Sequence, residues 1–291
     1  RGKMIVELVK KSYKTIVNTP AITLYLVLFL IAINLLAPFI AYARIPVVGM
    51  ILILCAFFFC SCFFAGWCQI LKENTNKEID KDKKYFPIFL EGVGKNIVPI
   101  SFGLIIYIVS FLAVIVLASF IAAKCFGRLD FIFRDMMSLN QNMSPLDYIN
   151  NLNDNQKYIL YGWQFCFIIA GAIFNYITMF YFPAIVFETK ANILLNPIKS
   201  IYTSICFTFK NFFKTLGIYL AIYLVYFVLT IIRGFIGNNF ILGVILLFIY
   251  IYFICCVIML IFNYYEAKNN SSNGSDSFGQ DEIINSAGKE V

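Results

Sequence analysis

The chain predicts an all-α polytopic membrane protein with six transmembrane helices, and three observations carry that prediction. Of its 291 residues, 61% are hydrophobic and 13% charged, against about 45–50% and about 25% in an average soluble domain. Six apolar runs without Asp, Glu or Lys in their middles, at 21–43, 47–70, 97–123, 158–186, 216–235 and 240–264, match the roughly 20 residues that cross a bilayer as a helix. Finally, the runs lack the ~10-residue alternation of barrel strands, so only helices can satisfy their backbone polar groups in lipid.

The stretch before span 1, "MIVELVKKSYKTIVNTP", repeats Ile5, Leu8, Val9, Tyr13, Ile16 and Val17 at helical spacing, with Glu7, Lys10, Lys11 and Lys14 elsewhere. It predicts an amphipathic helix lying flat on the membrane. Met4 is the expected start, with residues 1–3 an upstream remnant. Span 1 is too long for a signal core and "LLAPFIAYARIP" has no small-residue cleavage pattern, so it reads as a retained helix. Before span 3, "YFPIFLEGVGKNIVP" is broken by glycine and proline, yet brings apolar residues and Lys95 to the interface. Before span 5, Ile198, Ile201, Tyr202, Ile205, Phe209, Phe212 and Phe213 form a second stripe, opened by Asn196 and Pro197, with Lys199, Ser200 and Lys210 on the polar side. Residues 1–268 therefore form one integral membrane domain, and the polar stretch 269–291 reads as a disordered cytoplasmic tail.

Two near-identical phrases close apolar runs: "FETKAN" at 187–192 and "YEAKNN" at 265–270. They suggest three repeated units, each an interfacial segment followed by an outgoing and a returning helix. Unit one closes with "ILKENTN", which keeps the charges but not their order. A second match, "FNY" at 174–176 and 262–264, implies a different offset. Glu188 and Asn192, like Glu266 and Asn270, can share a helical face where the chain leaves the lipid. They fit an interfacial stop, or a gate if the two carboxylates meet across the repeat.

Orientation follows from Lys and Arg. Most of the 23 cluster on one side: Arg1, Lys3, Lys10, Lys11 and Lys14; Lys72, Lys77, Lys81, Lys83, Lys84 and Lys95; Lys190, Lys199, Lys210 and Lys214; Lys268 and Lys289. The other side has Arg44, Lys124, Arg128, Arg134, Lys157 and Arg233. This places both termini in the cytoplasm and the protein in a cytoplasmic (inner) membrane. The net charge of +7 then faces anionic lipid headgroups, so no nucleic-acid partner is implied. Lys10, Lys11, Lys14, Lys190, Lys199, Lys210 and Lys268 are the candidate headgroup contacts.

The chain has no histidine, which removes Ser–His hydrolases, zinc proteases and histidine-dependent lipid phosphatases or acyltransferases. "EGVGKN" lacks the full phosphate cradle of a P-loop, and every Asp lies in a loop. Most of the nine cysteines sit in or beside the spans without a C-x-x-C pair, which fits packing residues better than a metal or redox site. No cofactor or catalytic residue is expected. The polar residues deepest in the runs, Asn34, Asn175 and Asn263 among them, either bond between helices or line a path with Glu188 and Glu266 at its mouth.

The segment "FPAIVFETKANILLNPIKSIYTSICFTFKNFFKTLGIYL", with Pro183, Glu188, Pro197, Lys199 and Ser200 as its markers, resembles the six-helix bacterial inner-membrane proteins of the YciC type. It is also similar to the membrane domain fused to some glycerophosphodiester phosphodiesterases. The resemblance implies a six-helix bacterial inner-membrane protein; the soluble phosphodiesterase barrel has no counterpart here. The expected role is a non-enzymatic scaffold or accessory to an envelope or transport process. The alternative is a small permease or lipid-handling protein. Expected partners are membrane lipids and a membrane protein or second copy of the chain.

Overall fold

A computed structural model describes residues 2–41, 46–75, 84–131, 149–188, 196–237 and 239–287, with side chains from 5–39 in the first of these stretches and up to 269 in the last. The described chain is helical without a strand: α1 (Gly2–Asn18), α2 (Pro20–Ala41), α3 (Pro46–Thr75), α4 (Tyr85–Phe126), α5 (Asp154–Thr178), α6 (Tyr181–Phe187), α7 (Asn196–Lys210), α8 (Phe212–Ile236) and α9 (Phe240–Ala287). Six stretches are long and apolar enough to cross a membrane: Pro20–Phe39, Pro46–Thr75, Tyr85–Phe126, Asp154–Phe187, Phe212–Ile236 and Phe240–Asn269. The all-α polytopic class stands, and this is an integral membrane protein by length and composition of its helices.

The boundaries differ from the sequence expectation in three informative places. The segment before span 3 is continuous with the span, so α4 begins at Tyr85 and runs through Pro99. Glycine there serves close approach rather than a break: a methyl group on Gly92 would overlap the Gln69 side chain and sit 2.8 Å from the Ala65 carbonyl oxygen. Span 4, expected as one run, is interrupted at Met179 and Phe180. Pro183 explains the break, because it has no N–H for the carbonyl four residues back, that of Met179, and its ring crowds that turn. The chain restarts with Ala184 N–H donating to the Phe180 carbonyl at 3.0 Å. At the C-terminus α9 runs on to Ala287, so the backbone of the expected disordered tail is helical that far; adding residues to an existing helix avoids the nucleation step that an isolated segment of this composition would face.

Helix ends show local chemistry that the sequence encodes. Asn153 and Gln156 exchange reciprocal bonds, Gln156 N–H to Asn153 Oδ1 at 2.9 Å and Asn153 N–H to Gln156 Oε1 at 3.0 Å, a capping box that starts α5. Asn239 Oδ1 accepts from Leu242 N–H at 3.2 Å and starts α9. Gly127 and Gly237 follow α4 and α8 with φ of 103° and 56°, values that side chains disfavour.

The chain divides into two compact units, Arg1–Leu104 with Met179–Val291, and Ile105–Thr178. In the larger unit α1 packs chiefly on α9, α2 on α3, and α6 on α7. Its buried side chains gather where the first, third and fifth spans begin and the others end: Ile16, Ile22, Trp67, Ile70, Leu71, Ile100, Tyr181, Ile185, Phe262 and Tyr264 are nearly inaccessible. An aromatic cluster there joins Phe180, Ala184, Ile218, Tyr264 and Tyr265. Phe29 and Phe63 stack at 4.0 Å between α2 and α3. In the smaller unit Trp163 Nε1 donates to the Gly127 carbonyl at 2.9 Å, and Phe174 packs on Tyr107 and Phe111.

Candidate functional site

The polar groups of the larger unit converge on the end where α1 meets α2, α3 stops and α7 meets α8. Three short phrases build it: Lys14-Thr15-Ile16-Val17, Lys95-Asn96-Ile97-Val98 and Lys210-Asn211-Phe212-Phe213. In each, a Thr or Asn follows the lysine, and the residues four and seven positions after it turn inward. These are Thr19 and Ile22, Ile100 and Gly103, and Thr215 and Ile218, all buried. Offsets of four and seven keep these positions on one helical stripe.

Hydrogen bonds tie the stripes to other helices. Asn96 Nδ2 donates to Gln69 Oε1 at 3.2 Å in a buried contact between α4 and α3. Asn263 Nδ2 donates to Ser12 Oγ at 2.9 Å, joining α9 to α1. Trp67 Nε1 donates to the Ile22 carbonyl at 3.0 Å, and Tyr181 Oη to the Gly103 carbonyl at 3.2 Å. Lysines close two helix ends: Lys11 Nζ donates to the Thr75 carbonyl at 2.6 Å, and Lys72 Nζ to the Val186 carbonyl at 2.7 Å while lying over the Phe187 ring. Ammonium groups at the last carbonyls of helices also complement the helix dipole.

The acidic residues of the two closing phrases lie in the same region. Glu188 Oε1 accepts from Tyr265 Oη at 2.9 Å, whereas Oε2 is buried and has no hydrogen-bond partner among the described residues. Glu266, expected at the headgroups, is instead buried, 7% exposed. The two repeated phrases therefore meet, through a tyrosine next to the second glutamate. Lys190 and Asn192 lie outside the described residues, as does the side chain of Asn270.

The three candidate path residues take separate partners. Asn34 Nδ2 bonds the Leu30 carbonyl of its own helix at 2.8 Å. Asn175 Oδ1, in the smaller unit, accepts from Tyr107 Oη at 3.3 Å. Only Asn263 belongs to the polar end. Along α2, Asn34 is fifteen residues beyond Thr19, about 22 Å at the helical rise.

The amphipathic helices have three faces rather than two. On α1, Ser12, Thr15 and Ile16 point inward, as does Thr19 just beyond its end, while Val6, Val9, Tyr13 and Val17 stay exposed beside Lys10 and Lys14. On α7, Asn196, Ser200, Ser204 and Thr208 are buried at four-residue intervals, and Ile198, Tyr202 and Phe209 are exposed beside Lys199 and Lys210. Small hydroxyl residues permit close helix approach in membranes. The expectation that these helices lie flat with their polar side outward is corrected for the hydroxyls, which face protein. Of the headgroup candidates, Lys10, Lys14, Lys199 and Lys210 are exposed; Lys11 is held at Thr75, and Lys268 is half-buried beside Lys214.

Sequence reasoning missed Gln69, Lys72, Asn96 and Tyr265. The signal for Asn96 was present, since a lysine followed by Thr or Asn recurs at 14, 95 and 210. Among the described residues no group of His, Cys, Asp and Glu could hold a metal ion. No family model, curated protein or solved structure matches the chain.

Proposed function

We propose that this is a non-enzymatic membrane scaffold, an accessory to an envelope or transport process in a bacterial cytoplasmic membrane, with both termini in the cytoplasm. One observation carries the reading: four polar side chains at the converging helix ends make bonds between helices, Asn263 to Ser12, Asn96 to Gln69, Lys11 to Thr75 and Lys72 to Val186. Such a network fixes relative helix position, as a rigid platform requires. The three lysine phrases support descent from a tripled unit, and the resemblance to YciC-type proteins supports the bacterial inner-membrane setting. Gentle extraction from the native membrane followed by native mass spectrometry tests the role. A stoichiometric protein partner supports it, and a chain that comes out without any partner overturns it.

A second reading, a small permease, draws on one feature: Glu188 Oε2, a buried carboxylate oxygen with no partner among the described residues. Ionisable groups held inside membrane proteins commonly serve transport. Solute flux lost in Glu188→Gln and Asn175→Leu, yet kept in Lys199→Gln, favours that reading; flux unchanged in all three removes it.

A further inference from the structure

Tyr161, Gln164, Ile168, Gly171 and Asn175 follow one another along α5 at intervals of three, four, three and four residues. That alternation sets them in a single stripe, the pattern by which one helix packs against another along its length. The whole stripe belongs to the smaller unit. The chain leaves it open: Tyr161, Gln164, Ile168 and Asn175 are exposed, and a methyl group added at Gly171 would meet nothing within 4 Å. Beside it a groove of about 540 Å³ opens between α4 and α5, with Phe111 and Ile115 on one wall and Gln164 and Ile168 on the other.

The two amides make lipid a poor cover for this stripe. The membrane-crossing stretch Asp154–Phe187 has its middle near Gly171. At the helical rise, Gln164 lies about 10 Å and Asn175 about 6 Å from that point along α5, inside the roughly 15 Å half-thickness of the hydrocarbon. Among the described residues Gln164 has no hydrogen-bond partner, and Asn175 has one, Tyr107, at Oδ1. An unbonded amide in hydrocarbon is costly, and membrane helices relieve the cost by bonding such groups across to another helix.

The occupant that answers every position is the same helix from a second copy. Copies inserted with one topology run their α5 helices parallel, so a twofold axis along the membrane normal sets each residue of the stripe against itself. A primary amide has a positive N–H end and a negative carbonyl end, so two Gln164 side chains complement each other in partial charge. Gly171 against Gly171 lets the backbones come close, and the exposed Ile168 side chain of each copy enters the groove of the other. We infer that α5 is the interface of a parallel homodimer, paired through Gln164 and Gly171. A self-paired chain suits a scaffold or a permease equally, so the interface goes beyond both readings and stands or falls apart from them.

The test takes the purified full chain in lipid vesicles, its nine cysteines replaced by alanine and one cysteine returned to α5. Ile168→Cys and Ile173→Cys compare the stripe with the opposite face of the helix at similar exposure, 62% and 55% in the wild type. A short bis-maleimide is expected to join two copies through position 168 and not through 173. In the wild-type background, energy transfer between chains labelled at the C-terminus, followed as lipid is added, measures the dimer. Gln164→Leu is expected to weaken pairing about 3-fold and at most about 20-fold, and Gly171→Val about 10-fold by holding the backbones apart. Leucine suits hydrocarbon better than glutamine, so Gln164→Leu keeps the fold and a weakened dimer reports the lost contact. Joining at both positions or at neither, or pairing unchanged in both Gln164→Leu and Gly171→Val, overturns the interface. A chain that stays monomeric at every lipid ratio, with or without a small apolar molecule held in the groove, overturns the second copy as its occupant. Should the alanine background fail to fold, the energy-transfer series on the wild type and the two variants decides alone.

Discussion

Tyr265 and Glu188, 77 residues apart, are joined by a 2.9 Å hydrogen bond from the phenol to one carboxylate oxygen. The contact brings together the two closing phrases of the sequence. It also leaves that carboxylate dependent on a single donor among the described residues, since Oε2 has none there. Tyr265→Phe is therefore expected to destabilise the protein by about 1–3 kcal/mol, the cost of stranding a buried polar group. Thermal unfolding in detergent measures it, and an unchanged midpoint would show that the bond adds no net stability. Glu188→Gln in the Tyr265→Phe background should recover part of the loss, because a neutral amide is less costly to bury than a carboxylate.

The Asn263–Ser12 bond closes the chain on itself across 251 residues. A double-mutant cycle with Asn263→Leu and Ser12→Ala should return a coupling of about 0.6 kcal/mol and at most about 1.7, the range found for hydrogen bonds between membrane helices. Zero coupling would mean that the two side chains find other partners equally well.

Two glycines two residues apart should behave oppositely. Alanine at Gly92 would force α4 away from Ala65 and Gln69, and overpacking against backbone costs about 1–3 kcal/mol. Nothing lies within 4 Å of the corresponding position at Gly94, so Gly94→Ala is expected to be neutral or stabilising by up to about 1 kcal/mol through helix propensity. Parallel thermal melts of the two variants settle it.

Cys125 and Cys206 are both exposed and lie on opposite sides of the proposed topology. With all other cysteines replaced by alanine, an impermeant maleimide applied to intact cells should label Cys125 and spare Cys206 until the membrane is opened. The reverse pattern would invert the orientation drawn from the lysines.

The helices were legible because lipid leaves a segment no alternative: once the apolar runs are long enough, the backbone must satisfy itself. Span edges were less so. Pro183 was visible as a helix marker, but its effect falls four residues earlier, at Met179, and no change of hydropathy announces it. Ser200 read as part of a polar face because composition alone does not distinguish a hydroxyl that meets water from one that is buried one turn after Asn196 and bonds its side chain. The two closing phrases do meet, but through Glu188 and Tyr265 rather than through two carboxylates, and Tyr265 resembled any other aromatic in a membrane span. Asn34, Asn175 and Asn263 looked equivalent as isolated amides in apolar runs; only their partners separate them.

The packing of α1 on α9 also orders events at the ribosome. Synthesis reaches Asn263 251 residues after Ser12, so at about 5–20 residues per second α1 waits on the order of 10–50 s for its principal partner. Through that interval its hydroxyl face is uncovered. Stalled or shortened chains therefore keep a recognisable unfinished end, a mark by which quality-control proteases could separate incomplete products from finished ones.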